Sequence, residues 1–88
     1  MTWQIKLTEV AEKFLDKLYK SDKNAVVQIN KKLRLFADAP YQHGKPLKGN
    51  KDGIWRYRVG NYRILCHLNN MELMVLVLEI GHRKEIYR

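Results

Sequence analysis

The segment from residue 53 to residue 63, Gly-Ile-Trp-Arg-Tyr-Arg-Val-Gly-Asn-Tyr-Arg, constrains the fold more than any other part of the chain. Apolar or aromatic residues alternate with charged ones on both sides of Gly60-Asn61. This pattern is typical of two antiparallel strands joined by a two-residue turn. With that turn, Arg58 lies directly opposite Arg63 on the neighbouring strand.

The same alternation predicts two chemically different faces for this hairpin. The face expected to form the core carries Trp55, Tyr57, Val59, Tyr62, Ile64 and Cys66. The opposite face, called the arginine face below, gathers Arg56, Arg58 and Arg63. Like charges at cross-strand distance repel each other. The arginine face therefore predicts a polyanionic partner, and phosphate is the first candidate because arginine binds it through two hydrogen bonds.

The residues before the hairpin predict a short strand and two helices. The stretch Trp3 to Leu7 alternates as a strand does, and Thr8 then suits the N-cap of a first helix that reaches Tyr19. Ser21 and Asp22 break the helical spacing and offer the next cap. The second helix ends before the proline at position 40. Together they predict a helical hairpin.

A stretch rich in Pro, Gly and Lys follows, from Ala39 to Asp52, and predicts a long loop. Its lysines make it basic: Lys45, Lys48 and Lys51. A solvated surface connection and a binding loop are both open interpretations of this composition.

After the arginine hairpin, Asn69-Asn70 predicts a second tight turn and residues 72 to 80 a strand that is apolar on both sides. That turn would set His67 opposite Glu72. We expect Leu73, Val75 and Val77 on the core face, with Met74, Leu76 and Leu78 as an apolar strip on the arginine face. Such a strip suggests a partner protein. The fold class is α+β, β-α-α-β-β-β, with a helical hairpin packed on a mainly antiparallel sheet, in a single domain over residues 1–88.

The charge balance favours a nucleic acid or an acidic protein as partner, since the net charge is +8 and the pI about 9.8. The one cysteine, Cys66, has no internal disulfide partner, and no signal peptide is recognisable. We therefore expect a cytoplasmic protein. The apolar run from Leu73 to Leu78 is too short to span a bilayer, so no membrane association is expected.

Three segments resemble the RelE/ParE superfamily of bacterial toxins: the loop Lys45-Pro46-Leu47-Lys48-Gly49, the arginine hairpin, and the closing Gly-His-Arg-Lys-Glu-Ile-Tyr of residues 81–87. The ending is similar to the RelE-like branch. This resemblance implies a ribosome-dependent endoribonuclease that cleaves mRNA in the A site of the 70S ribosome. It also implies a cognate antitoxin, and a toxin-antitoxin complex that binds operator DNA through the antitoxin.

Carried over position by position, the resemblance implies functional roles for Arg56, Arg58, Arg63, Arg83 and Tyr87. His82 completes the candidate catalytic set of Arg63, Arg83, Tyr87 and His82, because histidine ordinarily titrates near neutral pH. The basic loop and tail add lysines to the candidate RNA-binding set, which is Arg56, Arg58, Lys45, Lys48 and Lys84. RelE itself has lysines at the two strand positions where this chain has arginines, and an arginine does not readily release its proton.

Several alternatives stay open. Each arginine either stabilises charge in the reaction or only positions RNA or antitoxin. Tyr87 is a general base or a tail residue packed on the sheet, and His82 is an acid or base or points away. We expect His67 to be structural and His43 to be exposed. No metal-ligand spacing is visible and no cofactor is expected. Two rivals remain, a DNA gyrase poison of the ParE type and a non-catalytic partner-binding member.

Overall fold

A computed structural model describes residues 2–47 and 53–82 of the chain, and the described elements form two helices on a five-stranded sheet. The sheet order is β1-β5-β4-β3-β2, with β1 parallel to β5 and the other neighbours antiparallel. The elements in chain order are β1 (Gln4–Leu7), α1 (Glu9–Ser21), α2 (Lys23–Asp38), a 3-10 turn (Pro40–Gln42), β2 (Lys45–Pro46), β3 (Ile54–Val59), β4 (Tyr62–Asn69) and β5 (Met74–His82). The predicted α+β class is confirmed, with β2 as an added edge strand.

The helical hairpin forms where the capping residues predict it. The hydroxyl of Thr8 accepts a hydrogen bond from the amide of Ala11, which satisfies a free amide at the start of α1. Asp22 ends α1 and also caps α2, because its carboxylate accepts from the amide of Ala25. A single residue therefore separates the two helices, and they leave it as an antiparallel pair.

Both helices pack on the same face of the sheet, and no described helix lies on the other face, called the uncovered side below. The core joins apolar residues of the two helices to the inward side chains of β3, β4 and β5. At its centre the ring of Phe36 stacks on that of Tyr57, with centroids 4.6 Å apart and planes 17° apart. No helix among the described residues is long and apolar enough to cross a bilayer.

The turn between β4 and β5 differs from the prediction. The strand begins at Met74 and not at residue 72, and the turn includes Leu73 at a φ of 50°. The Asn69 side chain accepts from the amide of Glu72 and so stabilises this longer turn. His67 consequently lies opposite Leu76, four residues from the predicted Glu72. Side chains alternate with a period of two, so a shift of four keeps Val75 and Val77 on the core face. The prediction that Leu73 lies on the core face was wrong, because this residue belongs to the turn and is exposed.

A register shift between Leu65 and Cys66 places a β-bulge in the β4–β5 ladder, because Leu65 pairs with Glu79 whereas Cys66 pairs with Val77. Leu78 is the extra residue of this bulge. The predicted apolar strip is half-buried on the uncovered side of β5, an internal strand, at Met74, Leu76 and Leu78. Glu79 is exposed beside it.

Candidate functional site

The arginine face forms as the alternation predicts. In the β3–β4 ladder Arg58 pairs with Arg63, and Val59 pairs with Tyr62 across the two-residue turn. Gly60 opens that turn at a φ of 57°, a conformation that glycine adopts without a steric penalty. Arg58 is exposed, Arg56 is half-buried, and the Nη1 atom of Arg63 is shielded from solvent. The three guanidinium groups therefore stand on the uncovered side of the sheet.

The short edge strand β2 adds a lysine to this face. Lys45 pairs with Arg56 and Pro46 with Trp55, so the lysine side chain shares the face of the arginine opposite it. Proline is tolerated here because an edge strand leaves one side of its backbone unpaired. The composition of residues 39–52 predicts a loop at Lys45, and this prediction was wrong because Lys45 and Pro46 form a strand. The proline beside the lysine is the one local signal that fits an edge strand.

Gly44 allows β2 to lie this close. Its φ is +64°, and a Cβ atom at this position would sit 2.3 Å from the carbonyl oxygen of Arg56 and 2.6 Å from the ring of Tyr57. No other residue type fits such an approach without displacing the strand. The hydroxyl of Tyr57 donates to the carbonyl of Pro40 at 2.8 Å and holds the preceding turn against the core. These contacts position Lys45 beside the arginines.

Together these residues line an open concavity of about 380 Å³. Its lining residues are Gly44, Lys45, Arg56, Tyr57, Arg58 and Arg63. The volume lies within the range of small-molecule sites. Four cations around one concavity attract an anion, and the planar guanidinium groups match the oxygen geometry of phosphate. The concavity is therefore suited to a phosphate group with part of an attached sugar.

Two buried titratable side chains behind the concavity, Tyr57 and Cys66, stay protonated at neutral pH and do not take part in proton transfer. Burial raises the pKa of Tyr57 well above its ordinary value, with smaller contributions from Cys66 and Tyr41. Burial also raises the pKa of the Cys66 thiol to about 12. A buried thiol that stays protonated is a structural residue and not a nucleophile.

The three histidines occupy different environments. His82 pairs with Tyr62 and its ring lies 4.9 Å from that ring and 6.5 Å from Phe14, on the helix side of the sheet and not on the arginine face. Its catalytic role stays a prediction. His43 is half-buried with its ring 5.3 Å from that of Phe36, so the expectation that it is exposed was wrong.

His67 lies on the uncovered side of the sheet, paired with Ile54 and Leu76. The predicted pairing of His67 with Glu72 was wrong because the β4–β5 turn is longer than predicted. The prediction that His67 is a structural residue stays a prediction. His67 lies an even number of residues from Arg63 on the same strand, and this spacing predicts its place on the arginine face. It is half-buried there and does not line the concavity.

Four predicted site residues lie outside the described residues: Lys48, Arg83, Lys84 and Tyr87. Their assignments to catalysis and RNA binding stay predictions. Within residues 2–47 and 53–82, no three His, Cys, Asp or Glu side chains come together as metal ligands.

Comparison with known proteins identifies the family. The family model described as "ParE toxin of type II toxin-antitoxin system, parDE" matches residues 5–87. Toxin RelG of Mycobacterium tuberculosis is 32% identical to the chain, over 100% of this chain and 99% of the relative. The chain is a type II toxin of the RelE/ParE superfamily.

Solved structures show that this superfamily toxin has a RelE-like fold. The toxin-antitoxin complex RelBE2 of Mycobacterium tuberculosis contains a chain with a TM-score of 0.82 at 23% identity, covering 97% of this chain and 95% of the other. A mutant of E. coli toxin RelE in the free state has a TM-score of 0.81 at 20% identity, covering 98% of this chain and 88% of the other. At these identities the likeness concerns the fold.

Proposed function

We propose that this toxin is a ribosome-dependent endoribonuclease that cleaves mRNA in the ribosomal A site and thereby inhibits translation. The observation that carries the proposal is the concavity in which Lys45 and the three arginines of the hairpin meet. Its chemistry suits a phosphodiester, and the RelE-like ending of the sequence and the relative named Toxin RelG support the same branch.

In the proposed reaction the 2′-hydroxyl of the RNA attacks the adjacent phosphorus, and the 5′-oxygen leaves. Negative charge accumulates on the phosphoryl oxygens in the transition state, and preorganised cations that meet it usually contribute the largest share of catalysis. We assign this role to Arg63 with Arg58, which lie opposite each other in the β3–β4 ladder. Arg83 is assigned to the same charge role and Tyr87 to the general base.

Binding of the RNA is electrostatic in this proposal. Arg56 and Lys45 extend the positive surface along β2 and β3, and Lys48 and Lys84 are assigned to the same RNA-binding surface. Each phosphate contact releases condensed counterions, so affinity for ribosomal RNA falls steeply as salt rises.

The proposed partner in the inactive state is a cognate antitoxin, since RelBE2 is a toxin-antitoxin complex with the same toxin fold. An acidic antitoxin segment would cover the arginine face and the half-buried apolar strip of β5 at Met74, Leu76 and Leu78. The complex would bind operator DNA through the antitoxin.

Primer extension on a translated mRNA with purified ribosomes tests the proposal. Wild-type toxin should produce cuts within A-site codons, and Arg63→Ala should reduce their rate about 10²–10³-fold, the usual effect of removing one charge-stabilising donor. The control is Lys31→Ala, an exposed lysine on α2 that removes the same charge far from the concavity. It should cut at the wild-type rate.

The same experiment separates the alternatives. Cuts on the mRNA without ribosomes would retain the nuclease and remove the ribosome as an obligatory partner. If wild-type protein gives no cuts, the nuclease is wrong. If Arg63→Ala remains as toxic to cells as wild type and still binds the antitoxin, Arg63 is not catalytic.

The second candidate function is DNA gyrase poisoning, favoured by the match to the ParE family over residues 5–87. Gyrase supercoiling assays in the presence of the purified toxin test it. Inhibition of supercoiling, with trapped cleaved DNA and no mRNA cuts, would replace the nuclease by this activity. If neither assay responds, the protein acts only by binding its partner.

A further inference from the structure

One lysine stands among the arginines of the concavity, and the two residue types differ in one chemical respect. Both are cationic, but an ammonium group can transfer a proton, whereas a guanidinium group in a protein does not. We propose that Lys45 is the general acid that protonates the leaving 5′-oxygen. This inference rests on the proposed nuclease and names the proton donor for its leaving group.

The register of the sheet places Lys45 for this role. It pairs directly with Arg56, shares the face of that arginine, and lines the same concavity as Arg58 and Arg63. A phosphate held by the arginines is thus bordered on the β2 side by an exposed ammonium group. The lysine has a long, flexible side chain that can follow the departing oxygen.

The other described residues that line the concavity do not supply a proton. The Tyr57 hydroxyl donates its hydrogen to the carbonyl of Pro40, and its pKa is raised by burial. The remaining lining side chains are arginines, and Gly44 has none. His82, the histidine predicted to act as an acid or base, lies against Tyr62 on the helix side of the sheet. Among the described lining residues, Lys45 is therefore the one that carries a transferable proton.

The step balances without any further reactant. The bond between the 2′-oxygen and phosphorus forms, and the bond between phosphorus and the 5′-oxygen breaks. The proton of the 2′-hydroxyl passes to the general base, and a proton from Nζ of Lys45 passes to the 5′-oxygen. The products are a 2′,3′-cyclic phosphate and a 5′-hydroxyl. The base then releases its proton to water and the neutral lysine takes one up, so no net proton is gained or lost.

Changing the leaving group tests the role directly. The substrate is an mRNA whose scissile 5′-bridging oxygen is replaced by sulfur, because a thiolate leaves without being protonated. Single-turnover cleavage on ribosomes is measured for the oxygen and sulfur substrates with wild-type toxin, Lys45→Arg and Lys45→Ala. Lys31→Ala on α2 is the matched control for charge.

With the oxygen substrate, both Lys45 variants should cleave about 10²-fold or more slowly than wild type, the usual contribution of a general acid. Because Lys45→Arg keeps the positive charge, its reduced cleavage rate reports the missing proton transfer and not a missing charge. With the sulfur substrate, both variants should return to near the wild-type rate. Lys45 is exposed on a two-residue edge strand, and thermal melting should be unchanged in both variants.

Two results would overturn the role of Lys45 while the nuclease stands. One is a wild-type rate for Lys45→Arg on the oxygen substrate, which would show that charge alone suffices. The other is a defect that sulfur does not relieve, which would assign the lysine to RNA binding. If wild-type toxin cleaves neither substrate, the nuclease itself is wrong, and the proposed acid is wrong with it.

Discussion

The two faces of the β3–β4 hairpin are built from neighbouring residues and have opposite properties. On the helix side, Tyr57, Ile64 and Cys66 are no more than 1% exposed and form the centre of the core. On the other side, Arg56, Arg58 and Arg63 line an open concavity. Consecutive side chains of a strand point to opposite faces, so one hairpin carries both stability and the candidate site. Substitutions one residue apart should therefore have different consequences.

The largest expected effect is that of Tyr57→Ala on the core face. The ring stacks on Phe36, and its removal leaves a cavity in the core. The free energy of unfolding should fall by about 3–5 kcal/mol, measured by urea titration with circular dichroism. Arg58→Ala, one residue along on the exposed face, is the matched control and should change stability by less than about 1 kcal/mol. Equal losses in the two variants would remove the distinction between the faces.

The core face should also respond to alkaline pH. Burial raises the pKa of the Cys66 thiol from 9.0 to about 12, so the folded state holds this proton more tightly than the unfolded state. The stabilisation is complete below pH 9 and is lost as pH rises toward 12, with a slope of up to about 1.4 kcal/mol per pH unit. Burial also raises the pKa of Tyr57, so its titration likewise lowers the free energy of unfolding as pH rises.

Thermal melting of wild type and Cys66→Ala across this alkaline range measures the effect. Cys66→Ala should be less stable at neutral pH because it leaves a small cavity, but its stability should decline less steeply above pH 9. Parallel curves for the two proteins would show that the thiol does not contribute to the pH dependence.

A smaller effect is expected for Tyr57→Phe, which keeps the ring and removes the hydroxyl that bonds to the turn before β2. The lost hydrogen bond to the Pro40 carbonyl should cost about 0.5–1.5 kcal/mol. The turn before β2 would then be held less firmly. Hydrogen exchange should accelerate at the amide of Leu47, which donates to the carbonyl of Ile54 beside that strand. An unchanged exchange rate at Leu47 would mean that Tyr57 does not anchor β2.

The smallest effect has the opposite sign. Arg58→Gln removes the repulsion between Arg58 and Arg63 across the ladder and should raise the free energy of unfolding by about 0.2–1 kcal/mol at low salt. The gain should vanish near 1 M salt, where charges are screened within a few ångströms. Lys31→Gln on α2 removes the same charge and should give a smaller gain. A salt-independent gain would point to packing instead of charge.

Local patterns predicted most of the fold. The two faces of the hairpin, the caps at Thr8 and Asp22, and the internal position of the apolar strand are all present. Each depends on residues close together in the chain, where alternation, helical spacing and capping leave a readable signal. The register of β4 and β5 was wrong because turn length depends on the Asn69 side chain and on Leu73 at a positive φ, which is uncommon for a leucine.

The candidate site was predicted in part. The three arginines could be grouped because they lie on one hairpin, whereas the position of Lys45 depends on a two-residue strand that is too short for any periodic pattern. The sequence also offered His82 as a neighbour of the arginines. In the fold it pairs with Tyr62, whose ring contacts Phe14 of α1 on the helix side of the sheet.

The sequence by itself determined the chemistry of this toxin: a basic chain, an arginine-bearing hairpin and the helical hairpin that covers one side of it. The tertiary structure alone decided which distant residues join the arginines. The pairing of β2 with β3 brings Lys45 beside Arg56. The β4–β5 register sets His82 on the other face. Alternation determines which side chains share a face within one strand, but only the pairing between strands determines which residues of different strands become neighbours.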